Sequence, residues 1–519
     1  MSLLKSAATV GGFTLISRLF GFVRDQLIAF TLGTGFVAEA FFVAQRLPNL
    51  FRALFAEGAF NNAFVPQFAR KLEGEGSDKA FAFARDVLSV LANWMLLFCA
   101  VAMIVMPWLM YAFAPGFRHQ DETYELAVEL TRICFPYLGL MSLTALFSGI
   151  LNSLGRFTAA AAAPILLNIV VISVTLLAWY LGLGNTPDTG RFLAYGVTLS
   201  GILQMLFLLV SAKRAGAQVR PGLPRITPDV KKVLLLSVPG IISGGVTQIN
   251  LAIATALASG IAGGVAFLYY ADRLFQLPLG VIGVAIGVVL LPTLSRKLRA
   301  NDTQGALDSQ NRALEFALFL TLPAAAALIV IGRPILHTVY EHGAFTRADT
   351  LAVTPALAAF AIGLPAFTLT KIFQPGFYAR EDTRTPMFFA MATVAVNIIA
   401  SFVLVKYLSH VGIALATSIA AWVNALALIV TSLGRGHFSA DARFRSRLPR
   451  ILVSVAVMAG VMWLMQAWWL NGNYAEGAGF AAALRGLLAL MAAGIASYFA
   501  TAHVTGAFRL GELKRTLRR

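Results

Sequence analysis

The chain has 519 residues, of which 58% are hydrophobic and only 13% are charged. Soluble domains carry about 45–50% apolar and about 25% charged residues, so this composition excludes an ordinary water-soluble enzyme. Lys and Arg outnumber Asp and Glu by 41 to 24, a net charge of +17, which in an apolar chain indicates basic cytoplasmic loops rather than binding of nucleic acid.

Fourteen apolar runs, each long enough to span a bilayer, follow one another along the chain. They cover residues 7–32, 37–64, 86–113, 125–151, 157–182, 192–212, 233–257, 264–294, 313–336, 350–375, 386–408, 411–434, 450–470 and 478–503. The first run is not a cleavable signal peptide, because Arg18, Arg24 and Asp25 interrupt it and further spans follow at once. The sequence therefore predicts an all-α integral membrane protein with about fourteen transmembrane helices.

The basic residues predict which side of the membrane each loop faces. With the N-terminus in the cytoplasm, 28 of the 41 basic residues fall in cytoplasmic loops or the C-terminal tail, and 4 fall on the opposite side. One missed span would invert every later loop, so this asymmetry predicts fourteen spans with both termini cytoplasmic. The arginine-rich segment 443–450 is interpreted as a loop facing anionic lipid rather than nucleic acid.

An internal repeat divides the predicted spans into two sets of six. Four markers recur in order at offsets of 226 to 229: Ala44-x-Arg46-Leu47 and Ala271-x-Arg273-Leu274, Pro66-x-x-x-Arg70 and Pro292-x-x-x-Arg296, Pro136 and Pro365, and Asn168 and Asn397. Six helices are an even number, so both copies enter the membrane in the same orientation, a common transporter plan. We predict an N-terminal lobe over 1–222, a C-terminal lobe over 223–440, and two additional helices with a basic tail over 441–519.

Motifs for covalent or ATP-driven chemistry are missing from the sequence. No lysine follows a glycine, which excludes a Walker A loop, and neither H-E-x-x-H nor G-x-S-x-G occurs. The six histidines lack metal-ligand spacing, and the two cysteines, Cys99 and Cys134, are too few for a disulfide framework. We therefore predict a transporter that is not an enzyme and has neither a metal site nor a cofactor.

Among the arginines within the predicted spans, five are candidates for a buried site: Arg18, Arg24, Arg46, Arg52 and Arg273. Each costs roughly 2.5–3.5 kcal/mol at mid-membrane on an insertion scale, so we expect them to face a wet cavity or paired acids. The nearby acids are few, namely Asp25, Glu39, Glu57 and Asp272. This imbalance favours a site for an anionic ligand, since arginine suits bidentate recognition of phosphate. The alternative is internal ion pairing, for example between Arg18 and Asp25, seven residues apart on one helix face.

Proline and glycine within two predicted spans indicate bending. The hinge candidates are Pro48 and Gly58 in the second span, and Gly240 and Gly244 in the seventh. Bending helices suit alternating access, whereas ordinary helix packing through small residues is the competing interpretation.

Several segments resemble the MurJ (MviN) family of lipid II flippases, which belongs to the superfamily of multidrug extruders and polysaccharide-lipid flippases. They are Ser17-Arg-Leu-Phe-Gly-Phe-Val-Arg-Asp25, Arg46-Leu-Pro-Asn-Leu-Phe-Arg52, Phe55-Ala-Glu-Gly-Ala-Phe60, Tyr270-Ala-Asp-Arg-Leu-Phe-Gln-Leu-Pro-Leu-Gly280 and Gln374-Pro-Gly-Phe-Tyr-Ala-Arg380. The resemblance covers the whole chain. It implies two six-helix lobes in a V shape, a central cationic cavity, and a lipid-tail groove formed by the last two helices.

The resemblance also implies the roles of individual residues. The diphosphate and cavity residues correspond to Arg18, Arg24, Arg52 and Arg273, and the supporting acids to Asp25, Glu39 and Glu57. Some family members bind sodium through acids in the second lobe. This chain has Asn250 and Asn397 on the corresponding spans, which argues against a sodium site and leaves the coupling ion or membrane potential open.

The expected substrate is lipid II, the undecaprenyl-diphosphate disaccharide pentapeptide, flipped from the cytoplasmic to the periplasmic leaflet of the bacterial inner membrane. The expected partners are this lipid, membrane lipids and the cell-wall synthesis machinery, without nucleic acid, for a protein acting as a monomer. The runner-up is a flippase for another polyprenyl-diphosphate glycan, such as an O-antigen unit. A multidrug cation extruder, a membrane glycosyltransferase or phosphatase, and a structural scaffold each account less well for buried arginines.

Overall fold

The structure, a computed structural model, describes residues 3–55, 61–469 and 479–507, apart from the side chains of 3–8, 61–62, 242–243, 246–247, 283–289 and 468–469. Throughout these ranges the regular secondary structure is helical. The prediction of an all-α fold is therefore confirmed. Residues 56–60, which include the predicted site residue Glu57 and the hinge candidate Gly58, lie outside the described part of the chain.

The helices belong to two compact units, the first comprising Met1–Ala266 with Gly343–Phe345, and the second Phe267–His342 with Thr346–Arg519. In the first unit the helices are α1 (Leu3–Leu32), α2 (Phe36–Arg52), α3 (Asn61–Gly74), α4 (Ser77–Ile104), α5 (Met106–Phe113), a 3₁₀ turn (Pro115–His119), α6 (Asp121–Cys134), α7 (Pro136–Ser153), α8 (Phe157–Tyr180), α9 (Pro187–Arg214) and α10 (Pro228–Ala258). They are followed by α11 (Gly264–Arg299), α12 (Thr303–Val330), α13 (Gly332–Val339), α14 (Arg347–Tyr378), α15 (Arg384–Gly434), α16 (Ala442–Trp469) and α17 (Phe480–Thr505).

Within the first unit, α8 packs between α1 and α9, and α2 packs along α6. A core cluster of this unit contains the stacked rings of Phe64, Phe68 and Phe83. The contact between α1 and α8 matters for the candidate site, because α1 carries Arg24.

The segment 343–345 packs at the end of α1. The backbone N–H of Ala344 donates to the carbonyl oxygen of Phe30 at 2.8 Å. Gly33 sits opposite with φ +58°, and a Cβ at this position would lie 2.3 Å from the Ala344 carbonyl oxygen. Glycine is required here both by the left-handed backbone and by the close approach.

In the second unit, α14 packs along α15 and α12, and α16 pairs with α17. The 51-residue α15 covers two predicted spans, 386–408 and 411–434, and is interrupted by Ser409, whose φ of 53° and ψ of −136° are not helical. The break falls between the two predicted spans, so the structure separates them where the hydropathy pattern does.

An arginine cluster joins α16 to α12. The Glu315 carboxylate on α12 accepts hydrogen bonds from Arg312 at 2.6 Å, from Arg443 and from Arg447. Arg312 also bonds to Asp441, whose other oxygen caps the backbone at the start of α16. Glu315 and Arg447 are both buried, so this cluster is the polar centre of the attachment of the last two helices.

Nine helical segments in the described part of the chain are long and apolar enough to cross a membrane. The count of fourteen spans therefore stays a prediction, as do the V shape, the central cavity and the internal repeat. The two compact units divide after Ala266, whereas the repeat places the lobe boundary at 222. The compact units are defined by packing and the lobes by the repeat, so their boundaries need not coincide. The lobe boundaries at 222 and 440 stay predictions.

Candidate anion-binding site

Arg24 is the best-defined buried cation of the first unit. On α1, its Nε and Nη2 donate to one carboxylate oxygen of Asp25, at 3.0 and 2.8 Å. Its Nη1 donates to the side-chain oxygen of Asn168 on α8, at 3.0 Å. The side chains of Arg24 and Asp25 are only 11% and 6% exposed. The guanidinium is thus held from two sides within an apolar helix pair.

The tight packing of α1 on α8 brings these groups together. Asn168 is buried, and its side-chain nitrogen donates to the backbone carbonyl of Ser17 at 2.9 Å. Gly21, one helical turn after Ser17, faces the same amide; a Cβ there would lie 3.7 Å from it. A buried amide needs partners for both its donor and its acceptor, and here the backbone of α1 supplies one and Arg24 the other.

Arg18 differs from Arg24 in its surroundings. It lies on α1 with an exposed side chain, which makes no hydrogen bond or ion pair to any residue that the structure describes. The alternative pairing of Arg18 with Asp25 does not occur, because the Asp25 carboxylate faces Arg24.

The arginines of α2 have polar partners of their own. Arg52 donates through Nε to the side-chain oxygen of Asn49 at 3.0 Å. Arg46 donates to the hydroxyl of Thr255 on α10 at 3.1 Å, and that hydroxyl in turn donates to a carbonyl of its own helix. Both of these contacts are to neutral groups, whereas Arg24 contacts a carboxylate.

Arg273, the candidate of the second unit, stacks on an aromatic ring. Its guanidinium carbon lies 4.7 Å from the ring centroid of Tyr269, one helical turn earlier on α11. Tyr269 is itself buried and packs edge-on against Tyr270. A guanidinium over a tyrosine face is attracted to the negative face of the ring.

The Glu39 carboxylate is buried on α2 and accepts the backbone N–H of Val265 at 3.1 Å. Val265 is in the first turn of α11, so the acid lies at the positive end of that helix. The residue predicted as an ion-pair support therefore caps a helix in this structure.

The hinge candidates lie within helices. α2 continues through Pro48 to Arg52, and residues 53–55 then adopt π-helical geometry. Gly240 and Gly244 lie inside α10, where a Cβ on Gly244 would make an ordinary 3.9 Å contact with Leu54. The irregular backbone of this region thus begins after Arg52 rather than at Pro48, and bending at these positions stays a prediction.

An apolar cavity of about 220 Å³ lies in the second unit. Its walls come from α12, α16 and α17 and include Phe319, Met462, Met491 and Tyr498. The Tyr498 hydroxyl donates to the Phe319 carbonyl at 2.6 Å, which leaves the lining almost wholly apolar. The cavity matches an alkyl chain in chemistry.

Sequence reasoning identified the charged residues and missed their neutral partners. In the sequence Asn168 stands out only as a marker of the repeat and Tyr269 does not stand out, and the charged Glu315 is missed as well. The repeat could have singled out Asn168, since an amide in an apolar span needs a partner. Among the described residues, no group of three or more His, Cys, Asp or Glu side chains is arranged to hold a metal ion.

The chain is similar in sequence to proteins named as lipid II flippases. A family model described as "Lipid II flippase MurJ" matches residues 28–479. A "Probable lipid II flippase MurJ" of Rhizobium meliloti (strain 1021) is 46% identical over 520 residues, covering 100% of this chain and 97% of the relative. A protein of the same name from Rhizobium tropici is 48% identical over 522 residues, with the same coverage. The "Lipid II flippase MurJ" of Burkholderia cenocepacia is 35% identical, covering 89% of this chain and 90% of the relative.

Solved structures show the same relationship. The structure "Lipid II flippase MurJ, inward closed conformation" matches with a TM-score of 0.79 and 26% identity, over 98% of this chain and 99% of the other. An inward-facing multidrug resistance MATE family transporter of the MOP superfamily matches with a TM-score of 0.65 and 15% identity, over 83% of this chain and 98% of the other. The second likeness is one of fold alone.

Proposed function

Because the chain belongs to the MurJ family of lipid II flippases, we propose that it moves lipid II from the cytoplasmic to the periplasmic leaflet of a bacterial inner membrane. It is a multi-pass membrane protein of the transporter class, and we place both termini in the cytoplasm. The observation that carries the proposal is Arg24, a guanidinium held by Asp25 and Asn168 inside an apolar helix pair. A packing role gives no reason to bury such a group.

The diphosphate of lipid II is the part that an arginine site recognises. Guanidinium groups bind phosphate oxygens through parallel, charge-assisted hydrogen bonds. In our proposal Arg24, Arg52 and Arg273 bind the diphosphate, and the exposed Arg18 adds to the positive field. Arg52 bonds to the Asn49 amide and Arg273 stacks on the Tyr269 ring, and both belong to the arginines that the hydropathy pattern places within predicted spans.

The ion pair with Asp25 gives the site two states. In the empty protein the carboxylate neutralises Arg24, and in the loaded protein the diphosphate replaces it as the partner of the guanidinium. We propose that Glu57 exchanges partners in the same way. Transport then follows from unequal binding of lipid II to two arrangements of the lobes, since a ligand shifts a conformational equilibrium only through differential affinity.

The polyprenyl tail has to stay in an apolar environment while the head group crosses. We propose that the last two helices guide it, and the cavity between α12, α16 and α17 supports this role because its walls are apolar. Gly494 lets the helices approach closely there, since a Cβ would lie 2.7 Å from the sulfur of Met462. The cluster around Glu315 attaches this helix pair to α12.

We propose that transport proceeds without ATP hydrolysis or a bound cofactor, driven by a coupling ion or by the membrane potential. We propose lipid II and bulk membrane lipids as the binding partners. We also propose that the protein acts as a monomer, since a single copy of the chain contains every residue named above. Contact with the cell-wall synthesis machinery is proposed for the cytoplasmic loops.

Arginine variants test the site in cells. Replacing Arg24, Arg52 or Arg273 with alanine abolishes growth of a strain that depends on this protein, at unchanged protein level. The matched control is R485A, because Arg485 also lies in a predicted span but is exposed and, among the described residues, bonds only to the backbone of its own helix. Full growth of all three variants contradicts the proposal.

Depletion of the protein tests the substrate. An externally added toxin that cleaves lipid II reports which leaflet holds the lipid. We expect lipid II to become inaccessible from outside while its total amount rises. If lipid II stays accessible and another polyprenyl-linked glycan accumulates inside, the substrate assignment is wrong although the transporter fold stands.

A further inference from the structure

Asn168 holds the Arg24 guanidinium in place, and its own orientation is fixed by the backbone. Its side-chain nitrogen donates to the Ser17 carbonyl at 2.9 Å. The nitrogen therefore faces α1, and the side-chain oxygen is left to accept Nη1 of Arg24 at 3.0 Å. If the Asn168 amide were flipped, its N–H groups would face the N–H groups of Arg24. Only the orientation in this structure satisfies both hydrogen bonds.

The absence of a charge on Asn168 matters as much as the direction of its hydrogen bonds. Arg24 and Asp25 together carry no net charge, and the second side of the guanidinium is held by an amide. A carboxylate at this position would hold the arginine as well but would make the group negative. An amide fixes the direction of the guanidinium and preserves its attraction for an anion.

The repeat supplies an internal comparison. Asn397, 229 residues later, is the position that the predicted repeat pairs with Asn168, and it is also buried. The positions equivalent to Arg24 fall at 250–253, which read Asn-Leu-Ala-Ile and contain no cation. The two asparagines are thus alike in residue type and burial. Only the first copy of the repeat has an arginine, Arg24, at the position compared.

We propose that Asn168 is a positioning residue of the anion site, which orients Arg24 toward the lipid diphosphate without neutralising it. This inference rests on the proposed function of Arg24 and adds a specific role for a neutral residue on α8. Asn168 does not contact the substrate in this proposal and acts through Arg24.

The test is the affinity of the purified full-length protein for lipid II in detergent, measured for variants with unchanged melting temperature. N168L preserves the shape of the side chain and removes both bonds. We expect its affinity to fall about tenfold, as for one lost hydrogen bond to a charged group. N168D keeps an acceptor for Arg24 but adds a negative charge, and we expect a loss at least about tenfold larger than that of N168L. The matched control N397L keeps the affinity of the unmodified protein.

A double-mutant cycle separates positioning from packing. In an R24A background, N168L has no further effect on affinity if Asn168 acts through Arg24. An equal loss in both backgrounds overturns the inference, and so does N168D binding as tightly as the unmodified protein. If R24A weakens binding and N168L does not, the positioning role is wrong while the proposed function stands. If R24A itself binds lipid II normally, the proposed diphosphate site is wrong as well.

Discussion

Removing the negative charge of Glu315 should loosen the attachment of α16 to α12. In E315Q the buried Arg447 loses the Glu315 carboxylate from its partners, and the side chains of Arg447 and Glu315 are only 10% and 11% exposed. Breaking a buried ion pair from one side costs about 3–5 kcal/mol. Because the amide oxygen of glutamine still accepts one hydrogen bond, and Arg312 keeps Asp441, we expect the lower end, a loss of about 3 kcal/mol in the free energy of unfolding.

The matched control is D382N, which breaks the ion pair of Asp382 with Arg435. Those side chains are 23% and 47% exposed, so the expected loss is at most about 1 kcal/mol. Both variants are compared by denaturant unfolding in one detergent, with hydrogen exchange over 442–469 as a local readout. A loss in E315Q no larger than that in D382N, or unchanged exchange in α16, would refute the reasoning.

Two further predictions concern backbone and pH. G33A should destabilise the protein by about 1–3 kcal/mol, because Gly33 has a φ of +58° and the new Cβ would meet the Ala344 carbonyl. The control is G12A, which has open space around the new Cβ and should be neutral or stabilising in the same thermal melts. Equal melting temperatures for G33A and G12A would contradict this reasoning. Burial, followed by the nearby guanidinium of Arg380, lowers the pKa of His437. The folded protein then binds fewer protons than the unfolded chain, so this contribution to stability is complete above about pH 6.5 and falls as the pH drops below that value. H437Q should therefore lose less stability than the unmodified protein between about pH 7.5 and about pH 5.5, and an identical loss would contradict the assignment.

The sequence was sufficient for the fold class, and it selects the charged residues of the candidate site, which stays a prediction. Long apolar runs have one structural solution in a bilayer, because every backbone group needs an internal partner. The break at Ser409 falls between two predicted spans because hydropathy falls where the chain turns. Arg24 could be selected without coordinates, since a cation in an apolar run requires compensation.

The partners of these charges could not be read from the sequence. Asn168 lies 144 residues from Arg24, and Arg447 lies 132 residues from Glu315. Periodicity gives the face of a helix but not the helix that packs against it. The bend candidate Pro48 shows a second limit, because a proline removes one hydrogen bond without specifying where the helix ends; the irregular backbone begins at residue 53.

The bond of Glu39 has a consequence for how the protein is made. Its acceptor oxygen is satisfied by the backbone of Val265, 226 residues later in the chain. At the usual synthesis rate of about 5–20 residues per second, that partner emerges roughly 11–45 seconds after Glu39 does. Throughout this interval the early helices enter the membrane with a carboxyl group whose final partner has yet to be translated. The first unit therefore cannot reach its final packing before the start of α11 has been inserted.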